Sequence, residues 1–559
     1  MQEYIYFNKA GLDFPLSEKI QVATTLEELK DNNFLISNTN EVKSEAIANE
    51  IDFYIKNSKD NLSSKIENVL KLYEINATKF DFAQDLDQSI NISNSLMIVY
   101  DNLEDFKDFT KDINANEFDL YKVESKLIKE IKNSVGNFDV IVDAGDKDIV
   151  LKVSQIVWFD EKLDKKRAGI YDPNISSIEE TLKTIRKNLN GYNFRKTILY
   201  DKSICQYHER KDEICSKCVE VCPTNTITKD EDNRRLVFDL VNCITCGECV
   251  SACPSGSLNS GAFTKDSLYE LSSFYKNTKP LIISSKSDIK NLNIDIKEGV
   301  LPLCIVGDIF DESVFLTYLQ ISSSQIVYFS NDISKGTKES IEIVNDIYMK
   351  KYGKLAVYLV SNEKELKEAL EKQEFIENSY YNFNQSGMRK REIFSQRLQK
   401  LVANDDLGIV KTGENIHYGR VLVNESNCTL CLSCVGACNV DALFANEADF
   451  SLRINPSLCT ACGYCEIVCP ENDCLTIKQD EIELNPNWFK ETILAQDKLF
   501  ACLECGKEFA TTKAIEKIAL MMEPIFKTQS AAKVRSLYCC ADCKPKIMIK
   551  EEMSKNAKY

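Results

Sequence analysis

Seven cysteines of this chain recur, with the same spacing, 216 residues further along. Each set reads C-x2-C-x3-C, then twenty residues, then C-x2-C-x2-C-x3-C. The residues between the cysteines differ widely between the two sets, so the geometry of the thiols, and not packing, fixes the spacing. The chain is therefore predicted to contain two metal-cluster modules. The two sets are Cys215, Cys218, Cys222, Cys243, Cys246, Cys249 and Cys253, and Cys431, Cys434, Cys438, Cys459, Cys462, Cys465 and Cys469.

This spacing suits a cubane iron–sulfur cluster. Thiolates two residues apart can wrap one face of such a cluster, while the cysteine four residues further on points to a neighbouring cluster. That last cysteine is followed by proline at Pro223, Pro254 and Pro470, whereas Asn439 follows Cys438. Residues 203–260 and 421–480 closely resemble the bacterial 2[4Fe-4S] ferredoxins, in which proline is usual at this point.

The resemblance implies four [4Fe-4S] clusters and a ligand set for each. In the second module, one cluster would be held by Cys428, Cys431, Cys434 and Cys469, and the next by Cys459, Cys462, Cys465 and Cys438. In the first module, one cluster would be held by Cys243, Cys246, Cys249 and Cys222. The other cluster of the first module would use Cys215, Cys218, Cys253 and a fourth ligand.

The fourth ligand of that cluster departs from the family pattern. The position equivalent to Cys428 is Asp212, and the nearest substitute is Cys205, seven residues upstream. Thiolates are the preferred ligands, so Cys205 is the favoured interpretation. Three alternatives stay open at this point: an oxygen ligand from Asp212, a nitrogen ligand from His208, or a three-iron cluster with Cys205 unused.

A further cysteine group lies near the end of the sequence. Two C-x2-C knuckles, Cys502 with Cys505 and Cys540 with Cys543, predict a four-cysteine structural zinc site, and Gly506 allows the tight turn that a knuckle requires. A fifth iron–sulfur cluster is the competing interpretation. Three other cysteines, Cys539, Cys474 and Cys304, are expected to be packed thiols.

Charge and missing motifs exclude several functions. The net charge is −17, and the one short basic stretch, residues 389–391, is expected on the solvated face of a helix at 387–402, so nucleic-acid binding is not expected. An acidic surface suits docking to a basic patch on a redox partner. The chain has two histidines and neither a G-x-G-x-x-G nor a phosphate-binding P-loop motif, so no catalytic or nucleotide site is predicted.

The sequence also indicates a compartment. Its apolar runs are far shorter than the ~20 residues that cross a bilayer, and its start lacks the pattern of a secretion signal. The 23 cysteines then belong to a reducing compartment and indicate metal binding and not disulfides. We expect a cytoplasmic protein without membrane insertion.

Outside the modules, short apolar runs alternate with helical patterns. A βαβαβ unit is predicted with strands at 95–100, 118–123 and 138–143, after helices at 41–57 and 62–74. Between the modules, strands at 280–284, 300–306, 325–329 and 355–360 alternate with helices at 311–321, 335–350 and 363–374, which predicts a small parallel sheet.

The predicted fold class is α/β plus α+β, with two ferredoxin-like modules and a tail that resembles a zinc knuckle. The predicted domains are an N-terminal α/β domain at 1–200, ferredoxin module 1 at 201–262, an inserted α/β domain at 263–380, a helical linker at 381–420, ferredoxin module 2 at 421–482 and a C-terminal helical domain at 483–559.

This order of parts resembles the cytoplasmic multi-cluster ferredoxin proteins that accompany bacterial molybdenum or tungsten formate dehydrogenases. The resemblance implies an electron-transfer protein that serves such an oxidoreductase and is not itself catalytic. The alternative from another class is a maturation or scaffold protein, whose clusters stabilise or sense and whose α/β domains hold a client enzyme.

Overall fold

The computed structural model describes residues 4–9, 11, 14–29, 34–39, 42–84, 87–114, 116–163, 166–285, 287, 289 and 292–556. Its first segment is a parallel sheet, ordered β2-β1-β3-β4, followed by two helices. The elements are β1 (Tyr4–Phe7), β2 (Ile20–Ala23), β3 (Phe34–Ser37), β4 (Ala46–Ile47), α1 (Asn49–Asn57) and α2 (Leu62–Phe82). Helix α1 begins later than predicted, and α2 continues eight residues beyond its predicted end at 74.

The second segment forms three sheets. Its elements are β5 (Asp87–Ile90), β6 (Ser95–Tyr100), α3 (Leu103–Thr110), β7 (Asp119–Glu124), β8 (Ile128–Lys132), β9 (Phe138–Asp143), β10 (Asp148–Val153), β11 (Gln155–Trp158), β12 (Ile170–Tyr171), α4 (Pro173–Ser176), α5 (Ile178–Asn188) and β13 (Tyr192–Arg195). Strands β6 and β7 pair in parallel around α3, as predicted.

The third strand predicted for the βαβαβ unit, at 138–143, is present but belongs to a different sheet. Strand β9 lies in the antiparallel sheet β10-β9-β8, and β11 takes its expected place beside β6. Alternate residues of β9 are buried, which is typical of an antiparallel strand with one solvent-exposed face. All four residues of β11 are buried, which is typical of a strand in a parallel sheet.

The first ferredoxin module is small and mostly loop. It contains β14 (Ile198–Tyr200), α6 (Lys217–Glu220), β15 (Ile227–Asp230), β16 (Arg235–Phe238), α7 (Glu248–Ser251) and β17 (Leu258–Ser260). Strands β14 and β17 pair antiparallel, as do β15 and β16, so two short ribbons frame the cysteine loops.

The segment between the modules is the predicted parallel sheet wrapped by helices. Its elements are α8 (Lys265–Ser272), β18 (Lys279–Ser284), β19 (Val300–Ile305), α9 (Glu312–Ser322), β20 (Ile326–Phe329), α10 (Lys335–Tyr352), β21 (Val357–Val360), α11 (Glu363–Lys372) and α12 (Lys390–Val402). The sheet order is β19-β18-β20-β21, and every pair is parallel. Helix α9 is buried along its whole length, because it lies between this sheet and α8, α10 and α12.

The N-terminal helices share a core with this inserted sheet. Tyr54 of α1 and Leu72 of α2 belong to the same buried cluster as Leu301 of β19 and Phe315 of α9. Helices α1 and α2 therefore support the inserted sheet, while residues 92–192 contain two clusters of their own.

Helix α12 corrects the expectation of a solvated basic face. Lys390 is 0% exposed and Arg391 is 2% exposed. The Lys390 ammonium lies 3.1 Å from the Glu312 carboxylate and 3.7 Å from that of Asp311, both of which are buried. Glu312 begins α9, and Asp311 directly precedes it. Because these carboxylates pair with Lys390, α12 can be buried without an unpaired charge.

The second module and the tail complete the chain. The elements are β22 (Ile409–Lys411), β23 (Gly419–Val423), α13 (Ser433–Ala437), β24 (Leu443–Asn446), β25 (Ser451–Ile454), α14 (Tyr464–Ile467), β26 (Leu475–Gln479), β27 (Glu481–Glu483), β28 (Thr492–Gln496), β29 (Leu499–Ala501), β30 (Glu508–Thr511), α15 (Thr512–Lys527), α16 (Ala531–Ser536) and α17 (Lys544–Asn556). Among all the helices described, none combines the length and the apolar character that crossing a membrane requires.

Candidate metal centres

Left-handed backbone positions shape the cysteine loops at the same places in both modules. Gly247 has φ of 83° and Gly463 has φ of 82°, and each directly precedes the short helix that carries the third cysteine of its loop. Thr245 and Ala461, two residues earlier, are also left-handed, at 59° and 52°. Such a conformation costs a residue with a side chain about 1–3 kcal/mol and persists where the surroundings require it. These turns bring successive thiols to one side of the loop.

In the first module, four of the predicted cluster ligands line one cavity. Cys222, Cys243, Cys246 and Cys249 all line it, together with apolar residues such as Ile198 and Val250. Burial raises the pKa of Cys249 well above its ordinary value, and the thiols of Cys218, Cys246, Cys243 and Cys222 add to the shift. Four sulfur donors around one dry cavity are the ligand set of a [4Fe-4S] cluster, so these residues fit the cofactor.

The second module has two such cavities. One is lined by Cys428, Cys431, Cys434 and Cys469, and the other by Cys438, Cys459, Cys462 and Cys465. The expected packed thiol Cys474 is 4% exposed and lines the first of these cavities, beside the quartet. Cys431 is exposed, so this centre lies at the surface.

The remaining quartet of the first module also comes together. Burial raises the pKa of Cys215 to about 12, and the thiols of Cys253, Cys205 and Cys462 add to the shift. Cys205 likewise adds to the raised pKa of Cys218. Cys205 is 8% exposed and lies close enough to Cys215 and Cys218 to act on both thiols.

His208 has a different environment. Its Nε2 atom lies 3.6 Å from the Glu209 carboxylate, and its ring packs edge-on against Tyr200 at 6.4 Å. Its Nδ1 atom is buried and has no hydrogen-bond partner among the described residues. His208 therefore lies within the Cys205 loop, with its ring against Tyr200.

Burial disfavours the thiolate form of some of these cysteines. It raises the pKa of Cys434 and of Cys459 to about 12, with neighbouring thiols adding to the shift of Cys434. Cysteine binds metal as thiolate, so metal binding at these two positions must release protons.

The loop that carries Cys205 forms the junction between the modules. Arg210 donates to the Ala437 carbonyl at 2.8 Å and lies 4.6 Å above the Tyr464 ring. Gln206 donates its amide to the Thr460 hydroxyl. Asn439 donates its amide to the Cys205 carbonyl at 3.0 Å. The seven-residue extension of the first cysteine loop therefore serves as the contact surface for the second module.

Sequence reasoning missed a set of buried cations at this junction. Lys390 donates to the Cys253 carbonyl at 3.3 Å, and Arg391 donates to the Pro254 carbonyl at 2.9 Å. Arg391 also stacks 3.6 Å above the Tyr418 ring and donates to the His417 carbonyl at 2.7 Å. Helix α12 thereby fixes the end of the first module against the second. In the sequence, the basic residues 389–391 only begin an amphipathic helical pattern, which does not indicate that they contact the two modules.

The tail cysteines form a compact four-thiol site. The sulfur atoms of Cys502, Cys505, Cys540 and Cys543 all lie within 4.8 Å of one another, and those of Cys505 and Cys540 are 3.8 Å apart. Although burial acts to raise it, the backbone N–H groups of Cys540, Glu504 and Cys505 lower the pKa of Cys502 to about 6. This is a metal-binding geometry with one thiolate already favoured.

Two neighbouring details agree with the predicted knuckles. Gly506 has φ of 73°, as the turn after Cys505 requires. The thiol of Cys539 donates to the Arg535 carbonyl at 3.3 Å and also lies close to the thiol of Cys502, although Cys539 is outside both C-x2-C knuckles. The tail itself is fixed to the second module, because Thr511 donates to the Thr429 carbonyl at 3.1 Å and Lys517 pairs with Glu471.

Comparison with known families agrees with the two modules. Residues 214–257 match the 4Fe-4S dicluster domain, and residues 420–470 match a second family with the same description. No curated protein matches the chain. The two matches support a ferredoxin-like iron–sulfur protein with several clusters and a role in electron transfer.

Proposed function

We propose that this chain carries electrons through four [4Fe-4S] clusters, held by the sixteen cysteines of the two modules, and that the tail holds one structural zinc. When bound, each cluster supplies one-electron redox chemistry. The chain's own residues hold the clusters, keep them dry and set the order in which they follow one another.

The order of the quartets is the observation that carries this proposal. Within the first module the short helices that carry Cys218 and Cys249, α6 and α7, pack on each other, and α13 and α14, which carry Cys434 and Cys465, do the same in the second. Between the modules, Asn439, next to Cys438, donates to the Cys205 carbonyl at 3.0 Å. The four quartets therefore form one continuous series, in which each has a neighbour, and an exposed cysteine, Cys431, marks one end. A set of purely structural sites would not need this continuity.

The tail proposal rests on the ligand set. Four cysteines in two knuckles are the usual closed site for structural zinc. The competing proposal is a fifth iron–sulfur cluster at the same four thiols. The zinc and iron contents of variants in the tail distinguish the two.

The proposed partner is a cytoplasmic oxidoreductase. The resemblance in the order of parts points to a molybdenum or tungsten enzyme such as formate dehydrogenase, and the net charge of −17 suits steering toward a basic patch. Co-purification of the tagged chain from its native cells tests this, with recovery of a molybdenum or tungsten enzyme expected. Recovery of a different redox enzyme would be consistent with electron transfer but would overturn the proposed molybdenum or tungsten partner.

The scaffold alternative has one observation in its favour. Helix α15 exposes apolar side chains, with Leu520 at 78% and Met521 at 56% exposed, which is the kind of surface that holds a client protein. A scaffold requires that surface but no electron flow. Loss of client activity on deletion of the N-terminal domain, with full activity after loss of a central cluster, would favour it.

The cluster count is tested by chemical analysis. Anaerobically purified protein should contain about 16 iron atoms and about 16 acid-labile sulfides per chain, four for each cysteine quartet. A reproducible content near half of that would show that one module is empty.

A further inference from the structure

Three cations meet the backbone around Cys253, a proposed cluster ligand at the junction between the modules. Lys390 donates to the Cys253 carbonyl at 3.3 Å, and Lys265 donates to a carbonyl three residues further on at 3.4 Å. Arg391 donates to the Pro254 carbonyl at 2.9 Å. The charge balance of this group decides whether the surroundings of the ligand are neutral or positive.

Two carboxylates balance two of these cations. Glu312 lies 3.1 Å from the Lys390 ammonium, and Asp311 lies 3.7 Å from it. Burial acts to raise the pKa of Asp311, but Lys390 and Lys265 together lower it. The third cation, Arg391, forms no ion pair with any of the described side chains. One positive charge, that of Arg391, is therefore left over.

Arg391 is nevertheless almost fully buried. It is 2% exposed, its guanidinium lies 3.6 Å above the Tyr418 ring, and it donates to the His417 carbonyl at 2.7 Å. Its Nη1 atom is buried and has no hydrogen-bond partner among the described residues. Buried charges are normally paired, and buried N–H groups are normally satisfied. Arg391 therefore requires an anion that the described side chains do not provide.

A second buried arginine of α12 has no such requirement. Arg397 donates through Nε and Nη2 to the Gln385 side-chain oxygen at 3.0 and 2.7 Å, and through Nη1 to that of Gln320 at 3.0 Å. Burial lowers its pKa to about 10. Neutral oxygens thus satisfy every nitrogen of Arg397, whereas Arg391 keeps one nitrogen without an acceptor.

The clusters at the junction are the anions that suit Arg391. Four thiolates leave a [4Fe-4S] cluster with a net negative charge. Pro254, which accepts from Arg391, directly follows Cys253 of one junction quartet. Helix α12 also packs on the short helix Pro456–Leu458, which directly precedes Cys459 of the other. Burial raises the pKa of Cys459 to about 12, whereas Arg391 acts to lower it.

Arg210 has a similar place on the Cys205 loop. It donates to the Ala437 carbonyl and lies above the Tyr464 ring, and each of these residues directly precedes a proposed ligand of the second junction quartet. It forms no ion pair within the part of the chain that the structure describes. Burial raises the pKa of Cys462, whereas Arg210 acts to lower it. Two arginines without a carboxylate partner therefore lie beside the junction quartets.

We propose that Arg391 and Arg210 are counter-ions of the two clusters at the junction and raise the reduction potentials of those clusters. A nearby positive charge stabilises the reduced cluster, which is one charge more negative, whereas burial disfavours it. The arginines thereby keep the buried middle of the series reducible. The inference rests on the proposed function, because it requires a cluster in each junction quartet.

Redox titrations of the full-length, anaerobically purified protein, followed by electron paramagnetic resonance, test this role. The reduction step that is lost or displaced in Cys462→Ser protein identifies one junction cluster. Arg391→Met should lower the equilibrium constant for reduction of the junction clusters at least about tenfold, or about 59 mV for one electron, and the other two steps less than about twofold. Unchanged junction steps, or an equal shift of all four steps, would overturn the assignment.

Two further variants of α12 separate charge from packing. Arg391→Lys keeps the positive charge and should recover at least about half of the shift. Arg397→Met removes a buried charge about 9 Å further along the same helix, so it should move every step less than about twofold. Equal shifts with Arg397→Met and Arg391→Met, or no recovery with lysine, would show that packing and not charge sets the potential.

Arg210→Met decides the question if Arg391→Met protein fails to assemble its clusters. Arg210 lies on a loop outside α12, so its replacement leaves the contacts of that helix unchanged. Reduction of the cluster identified by Cys462→Ser should become at least about threefold less favourable, and an unchanged step would overturn the proposal.

The failure of this inference is distinguishable from the failure of the proposed function. The iron content and the number of reduction steps of the parent protein report the clusters themselves. Four steps without a shift in the arginine variants would overturn the counter-ions alone. A parent protein without clusters at the junction would overturn both.

Discussion

Asn439 donates its side-chain amide to the backbone carbonyl of Cys205 at 3.0 Å, and so joins the second ferredoxin module to the first. Proline usually occupies this position in the ferredoxin family, and proline has no side-chain donor. Asparagine in place of proline at this position is therefore explained by the hydrogen bond between the modules, which a ferredoxin with one module cannot make. The same loop carries Cys205, which we propose as the ligand in place of Asp212, so one insertion supplies both that candidate ligand and the contact surface of the junction.

Replacing Asn439 tests that junction. Asn439→Ala should lower the free energy of unfolding by about 0.5–1.5 kcal/mol, the usual loss for one hydrogen bond, and should loosen the Cys205 loop. Proteolysis should then cut between residues 205 and 215 faster than in the parent. Asn427→Ala is the control, because Asn427 donates to carbonyls within the second module only. Equal cleavage in both variants would contradict the junction.

Cys205 is predicted to complete its cluster. Cys205→Ser should convert one four-iron cluster to a three-iron form, or lose it, with a new paramagnetic signal in the oxidised protein. Asp212→Ala should leave the spectrum unchanged. The reverse pattern, with a spectral change only on replacement of Asp212, would make that carboxylate the ligand.

The buried Lys390 ion pair is expected to be structural. Lys390→Met removes the nearest cation from the buried Glu312 and Asp311 carboxylates and leaves only the more distant Lys265, so it should cost about 3–5 kcal/mol of stability in denaturant unfolding. Arg389→Met removes an ion pair whose partners are 39% and 77% exposed, and should cost at most about 1 kcal/mol. Similar costs for the two variants would show that the buried pair is not what holds α12 in place.

The tail site is predicted to hold zinc. A Cys502→Ser, Cys505→Ser double variant should lose about one zinc per chain, keep its iron and become protease-sensitive after residue 498, because a structural metal contributes to folding. Cys539→Ser should keep the zinc, since that thiol donates to the Arg535 carbonyl. Loss of iron in place of zinc would show a fifth iron–sulfur cluster.

The sequence was informative wherever local spacing determines the structure. The spacing of the cysteines indicated two cluster modules, and the resemblance to two-cluster ferredoxins implied the quartets. The inserted sheet follows from four short apolar runs separated by helical patterns. Long-range contacts were not predictable. Lys390 was expected at the surface because its partner Glu312 is 78 residues away in sequence. Strand β9 was placed in the wrong sheet because a short apolar run does not show its pairing direction.

Electron flow through Cys462→Ser protein tests the central claim most directly. Cys462 lies in the quartet next to the junction, so its loss should interrupt the series while the docking surfaces stay intact. Turnover with the co-purified redox partner should fall at least about tenfold with partner affinity nearly unchanged, and turnover of the parent should fall with added salt. Cys474→Ser, a buried thiol outside the proposed ligands, should retain turnover. Full partner activity with Cys462→Ser would contradict conduction and support the scaffold.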